Sequence, residues 1–188
     1  MARPRSGDKR SAILAAATRV IVSQGLGAPT AVIAREAGVA NGTLFTYFET
    51  KTDLLNALYL DLKSGMAAAA LKEFLPDGES RRQYMQVWSN WMGWAEADPE
   101  KRRALALLGV SDEITAKSRM AGDKAMAPMR EMLEHLHKNG AMRGASKAFF
   151  LAMMDAVAES TMDCLVADPM GADKHCRVGF EAVWRMIG

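Results

Sequence analysis

Residues 33–51 read IAREAGVANGTLFTYFETK, and this stretch decides the fold. A helical segment over residues 30–37 stops at Gly38, a connection passes through Val39 and Ala40, and a second short amphipathic segment covers 41–48. Two short helices joined by a brief turn containing glycine form a helix-turn-helix, whose second helix enters the major groove of DNA. Ile33, Ala34, Ala37, Val39, Leu44 and Phe48 recur at helical spacing and are the expected small core of the motif. Ala37 and Gly38 are expected to be small because the helices approach closely there, and glycine tolerates a positive φ.

Before the motif lies a basic arm. Arg3, Arg5, Lys9, Arg10 and Arg19 face a single acid, Asp8, in the first nineteen positions. Beside a helix-turn-helix such an arm is an electrostatic footprint for phosphates; on its own it reads as a solvated tail. A first helix is expected over 8–23, with Ile13, Leu14, Ala17, Val20 and Ile21 in one stripe and Gly25 as its stop. Pro29 is expected at the start of the second helix, with Thr30 supplying a hydroxyl.

After the motif the chain remains helical. A fourth helix opens near Lys51 with Thr50 as N-cap, carries Leu54, Leu55, Leu58 and Leu62, and continues towards Leu75 before a break at Pro76-Asp77-Gly78. Further helices are expected over 80–97, 99–109, 112–138 (with a kink at Pro128), 146–167 and 173–187. No segment alternates with period two, so the chain is all-α, with about nine helices. The expected domains are residues 1–50, a three-helix DNA-binding domain, and residues 51–188, a helical sensing and dimerisation domain.

Composition agrees with a globular protein: 49% of residues are hydrophobic, 24% are charged and the net charge is +2. The two cysteines, Cys164 and Cys176, form no disulfide framework and are expected to be reduced, as in a cytoplasm. No export signal and no membrane span is expected.

Residues 9–60 resemble the DNA-binding domain of the TetR family of bacterial transcriptional regulators. The resemblance rests on Ile33-Ala34, Ala37-Gly38-Val39, Gly42-Thr43-Leu44, Tyr47-Phe48, Lys51 and Leu54-Leu55. The run GTLFTYFETKTDLL is particular to that family. Two positions depart from its pattern: Pro29 stands where Ser or Thr is usual, and Phe45 stands where Tyr is usual.

The polar remainder of the motif supplies the candidate DNA contacts: Thr30, Asn41, Gly42, Thr43, Phe45, Thr46, Tyr47 and Lys51. Thr43, Tyr47 and Lys51 are expected at phosphates or sugars, which position a protein without specifying sequence. Gly42 lets the backbone come close to a phosphate. Phe45 and Thr46 are candidates for base edges, since both can meet a thymine methyl. Asn41 would either contact DNA or simply cap the helix.

In the segment RRQYMQVWSNWMGWAEA, Tyr84, Met85, Val87, Trp88, Trp91, Met92, Trp94 and Ala95 fill half the helical circle, so coverage on two sides is expected. This arc would be aromatic core, or would line a ligand cavity, as the resemblance implies for the C-terminal half. The chain is rich in methionine, a residue over-used at adaptable binding surfaces. Candidate ligand contacts are Met66, Trp88, Trp91, Met92, Met126, Met129 and Met154, for an apolar or aromatic small-molecule effector. Asp155, Glu159 and Asp163, one turn apart, would form a solvated or interface stripe, or attract a cation.

Phe180, Val183, Trp184 and Ile187 make a final stripe. The resemblance implies that the last two helices pair with their copies in a homodimer; in isolation the stripe would equally close the monomer's core.

The resulting expectation is a dimeric repressor, cytoplasmic and bacterial, released from an inverted-repeat operator in double-stranded DNA by a small molecule. The alternatives are an activator of the same family, or a helical ligand-binding module without DNA activity. Catalysis is not expected: His135, His137 and His175 join no nucleophile or metal-ligand pattern, and no cofactor or metal site is expected.

Overall fold

The computed structural model describes residues 6–74 and 79–188. Arg3 and Arg5 of the basic arm and the Pro76-Asp77-Gly78 break lie outside the described residues. Among the described residues ten α-helices follow one another: α1 (Ser6–Gln24), α2 (Thr30–Glu36), α3 (Asn41–Tyr47), α4 (Lys51–Ala70), α5 (Ser80–Ala97), α6 (Pro99–Gly109), α7 (Ala116–Lys124), α8 (Ala127–Asn139), α9 (Lys147–Ala167) and α10 (Ala172–Ile187). A one-turn 3₁₀ helix, Pro169–Gly171, precedes α10. No strand occurs among the described residues.

The chain forms two units. The first combines residues 1–64 with 100–123, and the second combines 65–99 with 124–188. Helix α4 belongs to both.

In the first unit, Ile13, Leu14, Ala17 and Ile21 of α1 are buried, as are Leu54, Leu55, Leu58 and Leu62 of α4. The segment after α6 is tied to α4 through Asn56. Its side-chain amide donates to the Thr52 and Glu113 carbonyls, each at 2.8 Å, and its side-chain oxygen accepts from the Thr115 N–H at 2.9 Å and hydroxyl at 3.2 Å. Both ends of one amide are thereby occupied. The Thr52 hydroxyl adds a 2.6 Å bond to the Glu113 carboxylate, and Arg119 donates to the Gly109 and Ser111 carbonyls.

Two boundaries differ from expectation. Helix α4 ends at Ala70 rather than running on: Glu73 adopts φ 59°, and the Asn90 side-chain amide donates to the carbonyls of Ala70 (3.2 Å) and Lys72 (2.8 Å). A side chain from α5 thus satisfies carbonyls that the end of α4 leaves open. The long helix expected over 112–138 is two helices, α7 and α8. Pro128 stands in the first turn of α8, where its missing N–H costs nothing, and so starts a helix instead of kinking one.

The core of the second unit is aromatic. Tyr84, Trp88, Phe150 and Phe180 are buried together with Met92, Met154, Met162 and Leu165. Trp88 donates its indole N–H to the Cys176 carbonyl at 2.9 Å, which removes the cost of burying that group. Tyr84 lies 6.2 Å from Trp88 and 6.0 Å from Phe180 between ring centroids, and burial pushes its phenol above the usual tyrosine range. Helix α5 packs against both α9 and α10, which is the two-sided coverage its broad apolar arc requires. Helices α9 and α10 approach closely at Gly179. A methyl added there would overlap the Thr161 hydroxyl and come within 2.9 Å of the Trp88 ring.

Local capping sets the start of α9 and of the 3₁₀ turn that precedes α10. The Ser146 hydroxyl accepts from the Phe149 N–H at 3.2 Å, opening α9. Asp168 accepts from the Gly171 N–H at 3.1 Å and from the His175 ring at 3.0 Å, and these bonds, His175's first, hold its carboxyl below the usual range.

Candidate nucleic-acid interface

Helix α2 ends in a closed turn. Gly38 has φ +68°, its N–H donates to the Arg35 carbonyl at 3.1 Å, and the Val39 N–H donates to the Ala34 carbonyl at 2.9 Å. This pair of bonds is the Schellman arrangement, which needs a left-handed residue where Gly38 stands. Nothing lies within 4 Å of a Cβ built at Gly38. Glycine is required there by its dihedral angle and not by crowding, which corrects the expectation that the position must be small.

The turn delivers α3 onto a small apolar floor. Leu44 (0% exposed) and Phe48 (4%) face inward, beside the buried Ile33 and Ala34 of α2. The other side of α3 faces solvent: Asn41, Gly42, Phe45 and Thr46 are exposed, and Thr43 and Tyr47 are half-buried. Phe45 is 41% exposed, a large apolar surface on a seven-residue helix. Ala40, not Asn41, occupies the N-cap of α3, and it makes no side-chain cap bond. Asn41 is therefore the first helical residue and is not its cap. Likewise Pro29 stands at the N-cap of α2 rather than inside the helix, and Thr30 is the half-buried first residue.

Lys51 opens α4, half-buried, between the capping residues Thr50 and Asp53. A lysine in a first turn faces the positive end of its helix, an unfavourable place unless an anion approaches. Of the basic arm, Arg10 holds its guanidinium 5.4 Å from the Phe48 ring centroid, and Arg19 is bonded to Glu36 at 2.8 Å, linking α1 to α2. The Arg19 pair is about half exposed and adds little stability; it does reduce the charge Arg19 can offer a phosphate.

This arrangement of helices and exposed side chains is the one by which a helix-turn-helix meets a major groove. The family model described as "Bacterial regulatory proteins, tetR family" matches residues 13–58. The whole chain is similar to a solved tetR-family transcription regulator from Shewanella sp. PV-4, with 27% identity and a TM-score of 0.80 over 94% of this chain and 96% of that one. The helix-turn-helix region of the chain, residues 13–58, is thus similar to the DNA-binding region of the tetR family. A second solved tetR-family regulator, from Marinobacter aquaeolei VT8, shares 22% identity with a TM-score of 0.81, covering 97% of both chains. A curated relative from Haemophilus influenzae, an uncharacterized HTH-type transcriptional regulator, is 30% identical over 98 residues, about half the length (52%) of each protein. The family is one of transcriptional regulators and not of enzymes.

The second unit places the candidate ligand residues as follows. Met66, Trp88, Met92 and Met154 are at most 5% exposed, packed in the core, and Trp91, Met126 and Met129 are half-buried. The second unit instead carries a cleft of about 420 Å³ lined by Phe74, Ser80, Gln83, Ala127, Pro128, Glu131, Met132 and His135. None of the expected ligand residues is among them. Gln83 lies outside the apolar arc of α5, yet it is only 8% exposed. A buried glutamine of this kind is the signal that sequence reading missed.

The last stripe is also reassigned. Phe180, Val183 and Ile187 are each 0% exposed and belong to the core of their own unit, so they offer a second subunit nothing to touch. Trp184 is half-buried and stacked on Phe180, with ring planes 10° apart. The exposed apolar residues lie on other faces of the same helices: Phe149, Met153 and Val166 on α9, and Val178 on α10. Val178 borders a shallow groove of about 340 Å³, with Ala156, Val157, Ser160, Cys164 and Ala182.

No helix among the described residues is long and apolar enough to cross a membrane, and no cluster of three or more metal-ligating side chains occurs among them.

Proposed function

We propose that this regulator is a homodimeric repressor that binds an inverted-repeat operator through α3 and leaves it when a small amphipathic molecule occupies the cleft of the second unit. The observation that carries the DNA half is the outward face of α3, where Asn41, Phe45 and Thr46 are exposed above a fully buried Leu44. Tyr47 and Lys51 flank that face and are assigned to the phosphate backbone, with Thr30, Gly42 and Thr43 beside them.

The dimer is assigned to the exposed faces of α9 and α10. Phe149, Met153, Ala156 and Ser160 repeat along α9 at spacings of four and three, and His175, Val178, Ala182 and Arg185 do so along α10. That is the period of a helix-bundle seam. A second copy related by a two-fold axis would bury both seams and present two recognition helices to major-groove faces about 34–36 Å apart.

For the effector, Phe74, Pro128 and Met132 supply apolar wall, while Glu131 and His135, one turn apart on α8, with Gln83, supply polar groups. The ligand class is an apolar or aromatic body with a polar or cationic end. A tetR-like regulator from Mycobacterium smegmatis, LfrR, is known in complex with proflavine; it shares 18% identity and a TM-score of 0.70 over 96% of this chain and 98% of that one.

Retention on double-stranded DNA, titrated against salt, tests the reading. Affinity should fall steeply as salt rises, with a slope set by the phosphates neutralised. A weak, salt-insensitive interaction would leave a helical module without regulatory DNA binding.

A further inference from the structure

The outward face of α3 lacks charge altogether. Arginine or lysine pairs with guanine O6 and N7, and an acid accepts from cytosine N4; these are the ways in which a charged side chain reads a G·C pair in the major groove. Helix α3 has neither an acid in its first turn nor a base in its last, and its exposed side chains are Asn41, Phe45 and Thr46. Phe45 presents an aromatic ring at 41% exposure. The Thr46 hydroxyl donates to the Gly42 carbonyl one turn back, at 3.2 Å. Its proton is committed to the helix, and what remains for a partner is the methyl group and an acceptor lone pair.

From this face we infer that the regulator reads its operator by the C5-methyl groups of thymine, with Phe45 as the principal specificity-determining residue and Thr46 as its neighbour. Thymine is the one standard base that places a methyl in the major groove, and apolar side chains are its natural partners. Asn41 fits the same composition, since its amide matches adenine N6 and N7. The half-site under α3 is therefore A·T at the positions facing Phe45 and Thr46. This inference rests on the proposed DNA binding and says what that binding discriminates.

The test begins with the full-length protein and selection from a random double-stranded DNA pool. In the enriched half-site, each thymine is then replaced singly by uracil, which removes the methyl and keeps every hydrogen-bonding edge. We expect one or two uracil substitutions per half-site to weaken binding about threefold to tenfold. That penalty should vanish in Phe45→Ala or, for the neighbouring base, in Thr46→Ser, while both variants keep the wild-type melting temperature and salt slope. Enriched sites with G·C pairs under α3, or affinity indifferent to every uracil, would overturn thymine-methyl readout while leaving DNA binding intact. A pool that yields no salt-sensitive enrichment would instead overturn the DNA-binding reading, and this inference with it.

Discussion

Thr50 and Asp53 cap each other at the start of α4. The Thr50 hydroxyl accepts from the Asp53 N–H at 3.0 Å, and the Asp53 carboxylate accepts from the Thr50 N–H at 3.0 Å and its hydroxyl at 2.7 Å. This is a capping box with aspartate in the acidic position. Either Thr50→Ala or Asp53→Ala should cost about 1 kcal/mol in urea unfolding. The double variant should lose little more than one single change, because both remove the same reciprocal pair. Additive losses would show two independent caps.

The box also fixes the backbone at Lys51, one of the two residues between its members. Lys51→Ala and Tyr47→Phe should weaken DNA binding by similar factors on every operator variant, and Lys51→Ala should lower the salt slope by about one unit. Fluorescence anisotropy at several salt concentrations measures both quantities. A change in base preference, with affinity for random DNA intact, would move either residue from the backbone to the bases.

The motif and the order of helices were legible in the sequence because their signals are local. Gly38 forces a turn, Pro99 and Ser146 mark helix starts, and Leu44 and Phe48 recur at helical spacing. Where the signals were tertiary, reading failed. Phe180, Val183 and Ile187 form an apolar stripe in either case, and only burial says whether the stripe meets its own unit or a partner. Trp88 is conspicuous by its type, but its indole is satisfied by the Cys176 carbonyl, a contact across 88 positions that no periodicity reveals. The end of α4 was missed for a similar reason, since Asn90 reaches it from a different helix.

Trp88 and the cleft should separate cleanly under mutation. Trp88→Ala removes a buried ring and should cost about 3–5 kcal/mol of stability. Met132→Trp, placed in the cleft wall, should leave the melting temperature and operator affinity nearly unchanged while abolishing the thermal shift produced by amphipathic hits from a small-molecule screen. A ligand that releases DNA needs a coupling of only about 1–3 kcal/mol. Full ligand response in Met132→Trp would place the effector elsewhere in the second unit.

The dimer assignment makes a paired prediction. Val178→Asp, at a residue 59% exposed, should give a folded monomer that has lost operator affinity. Val183→Asp, at a residue 0% exposed, should unfold the second unit, since it buries an unpaired charge. Sedimentation and circular dichroism distinguish the two outcomes. An intact dimer in Val178→Asp would remove the α10 seam from the interface.

The clamp between Asn56 and Thr115 has a consequence for how the chain is made. The first unit is not a contiguous stretch: residues 65–99 belong to the second unit, and residues 100–123 return to the first. A ribosome delivering about 5–20 residues per second reaches Thr115 roughly 3–12 s after Asn56. During that interval Asn56 waits without the carbonyl of Glu113 or the N–H of Thr115. The reading head of the molecule is complete in sequence long before the unit that carries it can close. Its final form is set by residues translated after part of the second unit already exists.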